Sequence, residues 1–361
     1  MADHEPVNIR EFEALARERL DPVFYDYFAS GAQDEVTVRA NEAAFTRLTL
    51  VPRILRGVAP PRLGVTLLGD ETSMPIMLAP TAFHRLAHPD GERETARAAA
   101  KAGVTLIAAM LSTVAIEDVA AEARKVAPDP SLWFQLYVQP DLAITEAIVR
   151  RAESAGCGAL VVTVDSPALG RNERGDRNDF HDLPPGIRCE NLQGLTGADE
   201  PGSVRQVVLS PEISWTHLDR LREITDLPIV LKGVLHPEDA RLAVERGVDA
   251  LIVSNHGGRQ LDTTPPTIDR LPLIADAVDR RVPVLLDSGV RRGTDVVKAL
   301  ALGANAVAIG RPAVWGLAAA GEDGVTAVLR LLRRELENAL TLCGADSPRS
   351  LGRDLVQAAR C

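Results

Sequence analysis

Residues 249–262 read DALIVSNHGGRQLD, and the rest of the chain is organised around them. Ala250 to Val253 is a short, branched, apolar run of the kind that forms a strand buried on both faces. It breaks into Ser254-Asn255-His256-Gly257-Gly258-Arg259-Gln260, a polar turn with two glycines. A buried strand that delivers a histidine and an arginine at its carboxyl end suits an α/β barrel, whose chemistry sits at that face. The imidazole can exchange a proton near neutral pH, and the guanidinium offers a planar fork for a carboxylate. Glycine between them lets the backbone approach a ligand closely.

Seven further apolar runs surround this one, at 75–79, 105–109, 132–138, 159–164, 228–231, 283–286 and 306–309. Amphipathic segments follow most of them, at 91–102, 116–124, 141–155, 215–225, 238–246 and 294–302. Pro237 opens one of these helices, Gly247 closes it, and Ser214 is a candidate cap for another. Eight alternating strand–helix units predict a closed (β/α)8 barrel. A doubly wound open sheet is the alternative, but no G-x-G-x-x-G turn follows the first strand. Residues 1–70 precede the first convincing strand and are expected to form a helical extension packed on a barrel spanning 71–361. Within that extension, residues 22–32 are rich in aromatic rings, which by composition would plug one end of the core. One connection, 166–214, shows no clear period. A loop that long after the fourth strand predicts a mobile cover over the active face.

At 361 residues, 46% hydrophobic and 25% charged, the chain has room for one large barrel and an ordinary globular composition. The formal net charge of −10, with no compensating basic run, argues against a nucleic-acid partner. No apolar run reaches membrane-spanning length and the N-terminus lacks a signal core, so the cytoplasm is the expected location. Cys157, Cys189, Cys343 and Cys361 are widely spaced and predict reduced thiols, with no metal site.

The strand ends carry a coherent set of polar groups. They include Pro80-Thr81-Ala82, Gln135 and Tyr137, Thr163 and Asp165, Lys232, His256 and Arg259, Asp287 to Gly293, and Gly310-Arg311. Gly289 and Gly310 are each compatible with a tight turn; on adjacent strands together they resemble the barrel phosphate site. Lys232 ends a buried strand and needs an anion, either Asp165 or Asp287 or a bound ligand. Of the seven histidines, only His256 combines a strand end, glycines, a clamp arginine and a candidate acid partner, Asp165. His84, His88 and His236 lie near strand ends without a partner legible in the sequence. A satisfied core histidine is the bland alternative for His256.

The segments PRILRGV, SMPIMLAPTA, AHPDGE, FQLYV, TVDSPALGR, LPIVLKGV, SNHGGRQLD, RRGTDVVKALALGA and IGRP together resemble the FMN-dependent 2-hydroxy acid oxidase and dehydrogenase family. The likeness runs from about residue 12 to the end of the chain. It implies FMN as cofactor and oxidation of an L-2-hydroxy acid to a 2-oxo acid, with oxygen or another acceptor reoxidising the flavin. It implies His256 as base with Asp165 on its imidazole, and Arg259 and Tyr27 on the substrate carboxylate, with Tyr137 near the hydroxyl-bearing carbon. The flavin would be held by Pro80, Thr81, Ala82, Ala109, Gln135, Thr163, Lys232 and Ser254, with Asp287 on its ribityl chain. Its phosphate would fall to Gly289, Arg291, Gly310 and Arg311. A homo-oligomer, tetramer or higher, is also implied.

Three positions depart from the family pattern. Asn172 follows Gly170-Arg171 where a second carboxylate-binding arginine is usual, which removes one charged contact; Arg171 or Arg174 could substitute. Ala109 replaces a small hydroxyl residue, and Leu111, beside Met110, replaces a pocket tryptophan. The pocket is therefore expected to be apolar and roomy, suited to an aryl or branched side chain. The competing readings are a specialised biosynthetic FMN oxidoreductase of a larger or modified substrate, a non-redox flavin barrel such as isopentenyl diphosphate isomerase, and a binding module without activity. Asn172 favours the first of these, and the complete set His256, Arg259, Asp165 and Tyr27 argues against the other two.

Overall fold

The computed structural model describes residues 5–57, 60–195 and 209–359. Eight short parallel strands close into a barrel in the order β10-β11-β4-β5-β6-β7-β8-β9. They are β4 (Ile76–Leu78), β5 (Leu106–Ala109), β6 (Leu132–Leu136), β7 (Leu160–Thr163), β8 (Ile229–Val234), β9 (Ala250–Val253), β10 (Val284–Asp287) and β11 (Ala306–Ile309). The helices between them are α4 (Glu92–Ala102), α5 (Ile116–Val126), α6 (Leu142–Ser154), α8 (Trp215–Ile224), α9 (Pro237–Glu245), α10 (Thr267–Val278) and α11 (Gly293–Ala301), with α12 (Arg311–Cys343) last. The predicted barrel is therefore the fold.

Strand pleating divides the apolar residues into two cores. Along β9, Ala250 and Ile252 face the barrel axis with Met77, Ile107, Trp133, Val161, Val230 and Leu285. Leu251 and Val253 face outward into the larger core under the helices. This two-sided burial is why the strands read as continuous apolar runs. Val284 to Asp287 differs in ending on a buried carboxylate, which marks the face where the chemistry lies.

The N-terminal extension is not purely helical. After α1 (Ile9–Arg19), α2 (Pro22–Ala29) and α3 (Val36–Thr46) come β1 (Leu48–Leu50) and a hairpin of β2 (Val65–Leu67) with β3 (Asp70–Thr72). The hairpin closes the amino-terminal mouth of the barrel. Leu67 joins the inner core, and Asp70 Oδ2 accepts hydrogen bonds from Ser131 Oγ at 2.7 Å and Trp133 Nε1 at 2.8 Å. Three-residue strands with polar partners leave too little period to read from sequence, and residue 70 falls inside this hairpin. β1 pairs antiparallel with β12 (Val356–Ala358), tying the N-terminal segment to the C-terminal one.

Among its described residues, the long connection after β7 contains α7 (Glu173–Arg177) and a 3-10 turn, Glu190–Leu192, where no element was expected. Asn191 fastens this segment to the barrel rim. Its side chain donates to the Met110 carbonyl at 3.1 Å and accepts from the Ile116 amide at 2.8 Å.

Candidate active site

A cavity of about 500 Å³ opens at the carboxyl ends of the strands, where the barrel keeps its chemistry. Its walls include Tyr27, Pro80, Thr81, Ala82, Ala109, Leu111, Gln135, Tyr137, Asn172, Lys232, His256, Arg259, Asp287, Gly289, Arg291, Gly310 and Arg311. Seventeen of the twenty residues singled out in the sequence thus meet on one surface. Asp165, Thr163 and Ser254 do not reach it and stand behind it.

The pair at the centre is His256 and Asp165. His256 Nδ1 lies 2.9 Å from Asp165 Oδ1. Burial raises the Asp165 carboxyl, but the adjacent His256, Lys232 and the Ser166 hydroxyl outweigh it and hold the group below the usual carboxylate range. An ionised carboxylate can only accept, so Nδ1 carries the proton in this bond and Nε2 is the nitrogen left for ligand chemistry. His256 sits at φ +58, a left-handed backbone that its branch-free Cβ tolerates at a cost. Its amide donates to Ser254 Oγ at 3.0 Å, and the same oxygen accepts from Lys232 Nζ at 3.0 Å. Ser254 therefore couples β8 to the histidine turn.

Gly233 makes room for the acid. Its φ is +116, and a Cβ there would lie 2.6 Å from Asp165 Cβ and 2.8 Å from its Cγ. The pairing of β8 with β9 shifts register between Lys232 and Val234, so the strand bulges where the two side chains converge. Strand β8 runs to Val234 rather than ending near 231 because ladder pairing resumes beyond this bulge.

Lys232 Nζ is buried 3.1 Å from Asp287 Oδ2. Burial lowers its pKa, but Asp287 and Asp165 overcome this and the ammonium is held above its usual value. The Lys232–Asp287 ion pair and a ligand contact are compatible, since an ammonium has three donors and both residues line the cavity.

Arg259 donates through Nη1 to the carbonyls of Tyr27 at 2.7 Å and Ser30 at 3.1 Å, and its guanidinium lies 5.0 Å from the Tyr27 ring centroid. One edge of the fork is thus anchored. Burial pushes the Tyr27 phenol up to about 12, against a smaller opposing effect from Arg259. The Tyr137 phenol is also raised, by burial first and then by Asp165 and Tyr27. Both phenols are neutral across the physiological range. Tyr27 packs against Phe28, Phe83 and Phe180 and lines the ligand cavity with Phe28, while Phe28 also belongs to the buried core and Tyr25 stacks on buried Trp315, so the aromatic run of α2 serves both.

Several of the expected site residues also have structural partners within the protein. Arg311 gives all three of its nitrogens to carbonyls, of Phe28 at 3.0 Å, Gly257 at 2.9 Å and Ser30 at 2.8 Å. Burial, with Arg259 and Arg291 nearby, lowers it to about 9, which leaves it charged at neutral pH. It contributes charge to the cavity while clamping the N-terminal segment to the histidine turn. Gly289 has φ +87, and a Cβ there would lie 2.7 Å from the Asn41 carbonyl carbon. Packing of α3 alone therefore requires glycine at 289. Asn172 caps α7, accepting from the Gly175 amide at 3.1 Å and donating to Ser30 Oγ at 2.9 Å. Arg174 is committed to Asp26 at 3.2 Å and Glu35 at 2.6 Å, and Arg171 to Asp176 at 3.4 Å. Arg174 is thus held away by two carboxylates, whereas Arg171 lines the cavity with only its Nε engaged. Met110 is buried in the outer core, so Leu111 alone of that pair faces the cavity.

Sequence reading missed Phe83, Phe180, Leu169 and His181 on the wall, because loop residues carry no period. It also left His84 without partners; the structure gives Thr95 Oγ1 at 3.0 Å on Nδ1 and Thr81 Oγ1 on Nε2.

The cavity fits an anionic, acceptor-rich ligand. Gln135 Nε2 and Arg291 Nε are buried donors without a protein partner, a costly state unless a ligand completes them. Helix α12 begins beside them with no side-chain cap, so its free amides favour an anion. FMN carries a phosphate and a hydrogen-bonding ring system of that description.

This fold and donor set define a flavin-binding barrel, and the comparisons with known proteins agree. Residues 16–358 match the family model described as FMN-dependent dehydrogenase, and the chain belongs to that family, whose cofactor is FMN. It is 46% identical to an L-lactate oxidase of a Nostoc species, over 94% of both chains. It is 47% identical to glycolate oxidase 1 of indica rice, over 95% of this chain and 93% of that one. Among solved structures, mandelate oxidase carrying a tyrosine-to-phenylalanine change, with (S)-mandelic acid, superposes with a TM-score of 0.91 at 40% identity, covering 99% of this chain and 100% of that one. The chain is thus an FMN-dependent 2-hydroxy acid oxidase family enzyme. No helix among the described residues is long and apolar enough to cross a membrane.

Proposed function

We propose that the protein oxidises an L-2-hydroxy acid bearing an apolar, aryl or branched side chain to the 2-oxo acid, with oxygen as the final acceptor. The observation that carries this reading is the placement of His256, backed by Asp165, in one cavity with Arg259 and an apolar wall of Leu111, Leu169, Phe83 and Phe180. Arg259 holds the carboxylate with the edge of its fork that the Tyr27 and Ser30 carbonyls leave free. His256 Nε2 takes the proton released as the C–H and O–H bonds of the alcohol become a carbonyl, and Asp165 stabilises the imidazolium that results. FMN, when bound, would supply the acceptor for the electron pair and the second hydrogen of the alcohol, and its reoxidation by oxygen would give hydrogen peroxide.

In this reading Gln135 and Lys232 meet the flavin ring, and Pro80 to Ala82 and Ala109 border its face. Asp287 meets the ribityl chain, and Arg291 and Gly310 the phosphate. Arg311, on the same wall, adds its charge, and Thr163 and Ser254 support them from behind. A cytoplasmic homo-oligomer is the expected form, tested by sedimentation and cell fractionation.

Asn172 supports a second reading, a specialised oxidoreductase of a larger or modified substrate. Both ends of its amide are engaged by Ser30 and Gly175, so the cavity has one carboxylate clamp instead of two. Anaerobic mixing of the yellow protein with glycolate, lactate and mandelates, read as loss of flavin absorbance, separates the two. Faster bleaching by mandelates than by glycolate supports the first. Bleaching by none of the free acids supports the second, and preference for glycolate overturns the apolar-pocket assignment.

A further inference from the structure

Helix α3 brings a carboxylate to the phosphate corner of the cavity that the chemistry above does not use. Glu42 Oε1 lies 2.8 Å from Arg291 Nη2, and its Oε2 lies 3.8 Å from Arg10 Nη2 on the outer side. The Arg291 side chain is 14% exposed and that of Glu42 32%, so solvent screens this pair only in part. The backbone beneath Glu42 is fixed. Its neighbour Asn41 exchanges two amide hydrogen bonds with Asn255, at 2.9 and 2.8 Å. The Asn41 carbonyl packs on the turn after β10, where a Cβ at Gly289 would lie 2.3 Å from it. Helix α3 is thus registered against the histidine turn and the phosphate turn at once, with Glu42 paired to Arg291.

The three nitrogens of Arg291 can be accounted for one by one. Nη2 meets Glu42, Nη1 donates to the Val290 carbonyl at 3.0 Å, and Nε is a buried donor with no partner in the protein. A guanidinium grips a phosphate best through two parallel N–H groups. With both terminal nitrogens engaged, Nε is the one group left wholly free for a ligand on the cavity wall. The charge of Glu42 also reaches Arg311, where burial, Arg259 and Arg291 lower the pKa and Glu42 opposes them. A phosphate monoester carries about two negative charges into the same corner.

We propose, on the reading that Arg291 meets the cofactor phosphate, that Glu42 competes with that phosphate for Arg291. Glu42 is the resident counter-ion of the arginine cluster: it stabilises the cofactor-free protein and by the same contact weakens the hold on FMN. Two anions share one cation, so stabilisation given by one is partly lost to the other. Glu42 stands behind Arg291 and outside the cavity wall. Its effect is therefore confined to the phosphate end of the ligand, and a flavin without a phosphate is indifferent to it.

The test titrates FMN, and riboflavin, which lacks the phosphate, into the full chain stripped of cofactor, read by quenching of flavin fluorescence. Glu42→Gln removes the charge and keeps the shape. It should tighten FMN roughly tenfold, the scale of one relieved contact between partly screened like charges, and leave riboflavin unchanged. Its cofactor-free form should melt below wild type, and saturation with FMN should raise its melting temperature by more than it raises that of wild type. Glu42→Ala, which frees Nη2 outright, should tighten FMN at least as much. Weaker FMN binding in either variant would show that Glu42 aims Arg291 at the phosphate, and the competition would be overturned. An equal change for both flavins, or none for either, would overturn it as well. Arg291→Ala tests the underlying reading separately: it should weaken FMN and spare riboflavin. If it affects both flavins alike or neither, Arg291 does not meet the phosphate; if it behaves as expected while Glu42→Gln does not, the role of Glu42 alone is refuted.

Discussion

Replacing Asp165 by asparagine removes one charge and almost no volume, so its effect isolates the electrostatic part of the site. The carboxylate lies 2.9 Å from His256 Nδ1 in a buried position. Two unit charges near 4 Å at an effective dielectric of about 20 interact by about 4 kcal/mol. The asparagine dipole keeps a fraction of that, so imidazolium formation should become harder by about 3 kcal/mol, or roughly two orders of magnitude in the step that forms it. The assay is the rate of anaerobic flavin bleaching at saturating substrate, in a stopped-flow instrument, on enzyme checked for full flavin content. A bleaching rate within about threefold of wild type would show that imidazolium charge is not developed in the rate-limiting step, and the assignment of His256 as base would fall. Normal bleaching with slow reoxidation would place the role of the pair in the oxygen half-reaction instead.

Acid should reveal the same carboxylate through stability. Asp165 is held below its ordinary value, so its contribution is present above about pH 4 and is lost as pH falls through the lower folded value. Urea unfolding midpoints of wild type should drop more steeply in that acid range than those of Asp165→Asn; parallel curves would contradict the shift. Gly233→Ala places a methyl 2.6 Å from Asp165 Cβ on a backbone at φ +116, and should cost about 1–3 kcal/mol of strain while displacing the acid. Thermal unfolding and bleaching rates should both fall, and a stable, fully active variant would refute the steric account. Lys232→Met leaves Asp287 buried without its 3.1 Å partner, a loss of about 3–5 kcal/mol. Adding Asp287→Asn should recover the melting temperature without recovering flavin affinity by fluorescence titration. Recovery of both would leave Lys232 a purely structural residue.

The alternation of apolar runs and helices determined the barrel, because strands buried on both faces must be apolar throughout and parallel strands need helical crossovers. Strand ends are polar only where function requires it, and for that reason His256, Arg259, Lys232, Gln135 and Asp287 were legible before any coordinates. Tertiary structure decided what each polar group does with its hydrogen bonds. Sequence spacing placed Arg311 and Asn172 at the site, but the carbonyls of Phe28, Ser30 and Gly257 and the cap of α7 claim their side chains, and those partners come from distant segments. The hairpin that closes the barrel floor, the bulge at Gly233 and the chain from Gln260 through Ser166 to Asp165 are likewise invisible in the sequence. Their periods are too short to register, and the partners that define them, Trp133, Asp165 and Gln260, meet only when the chain is closed.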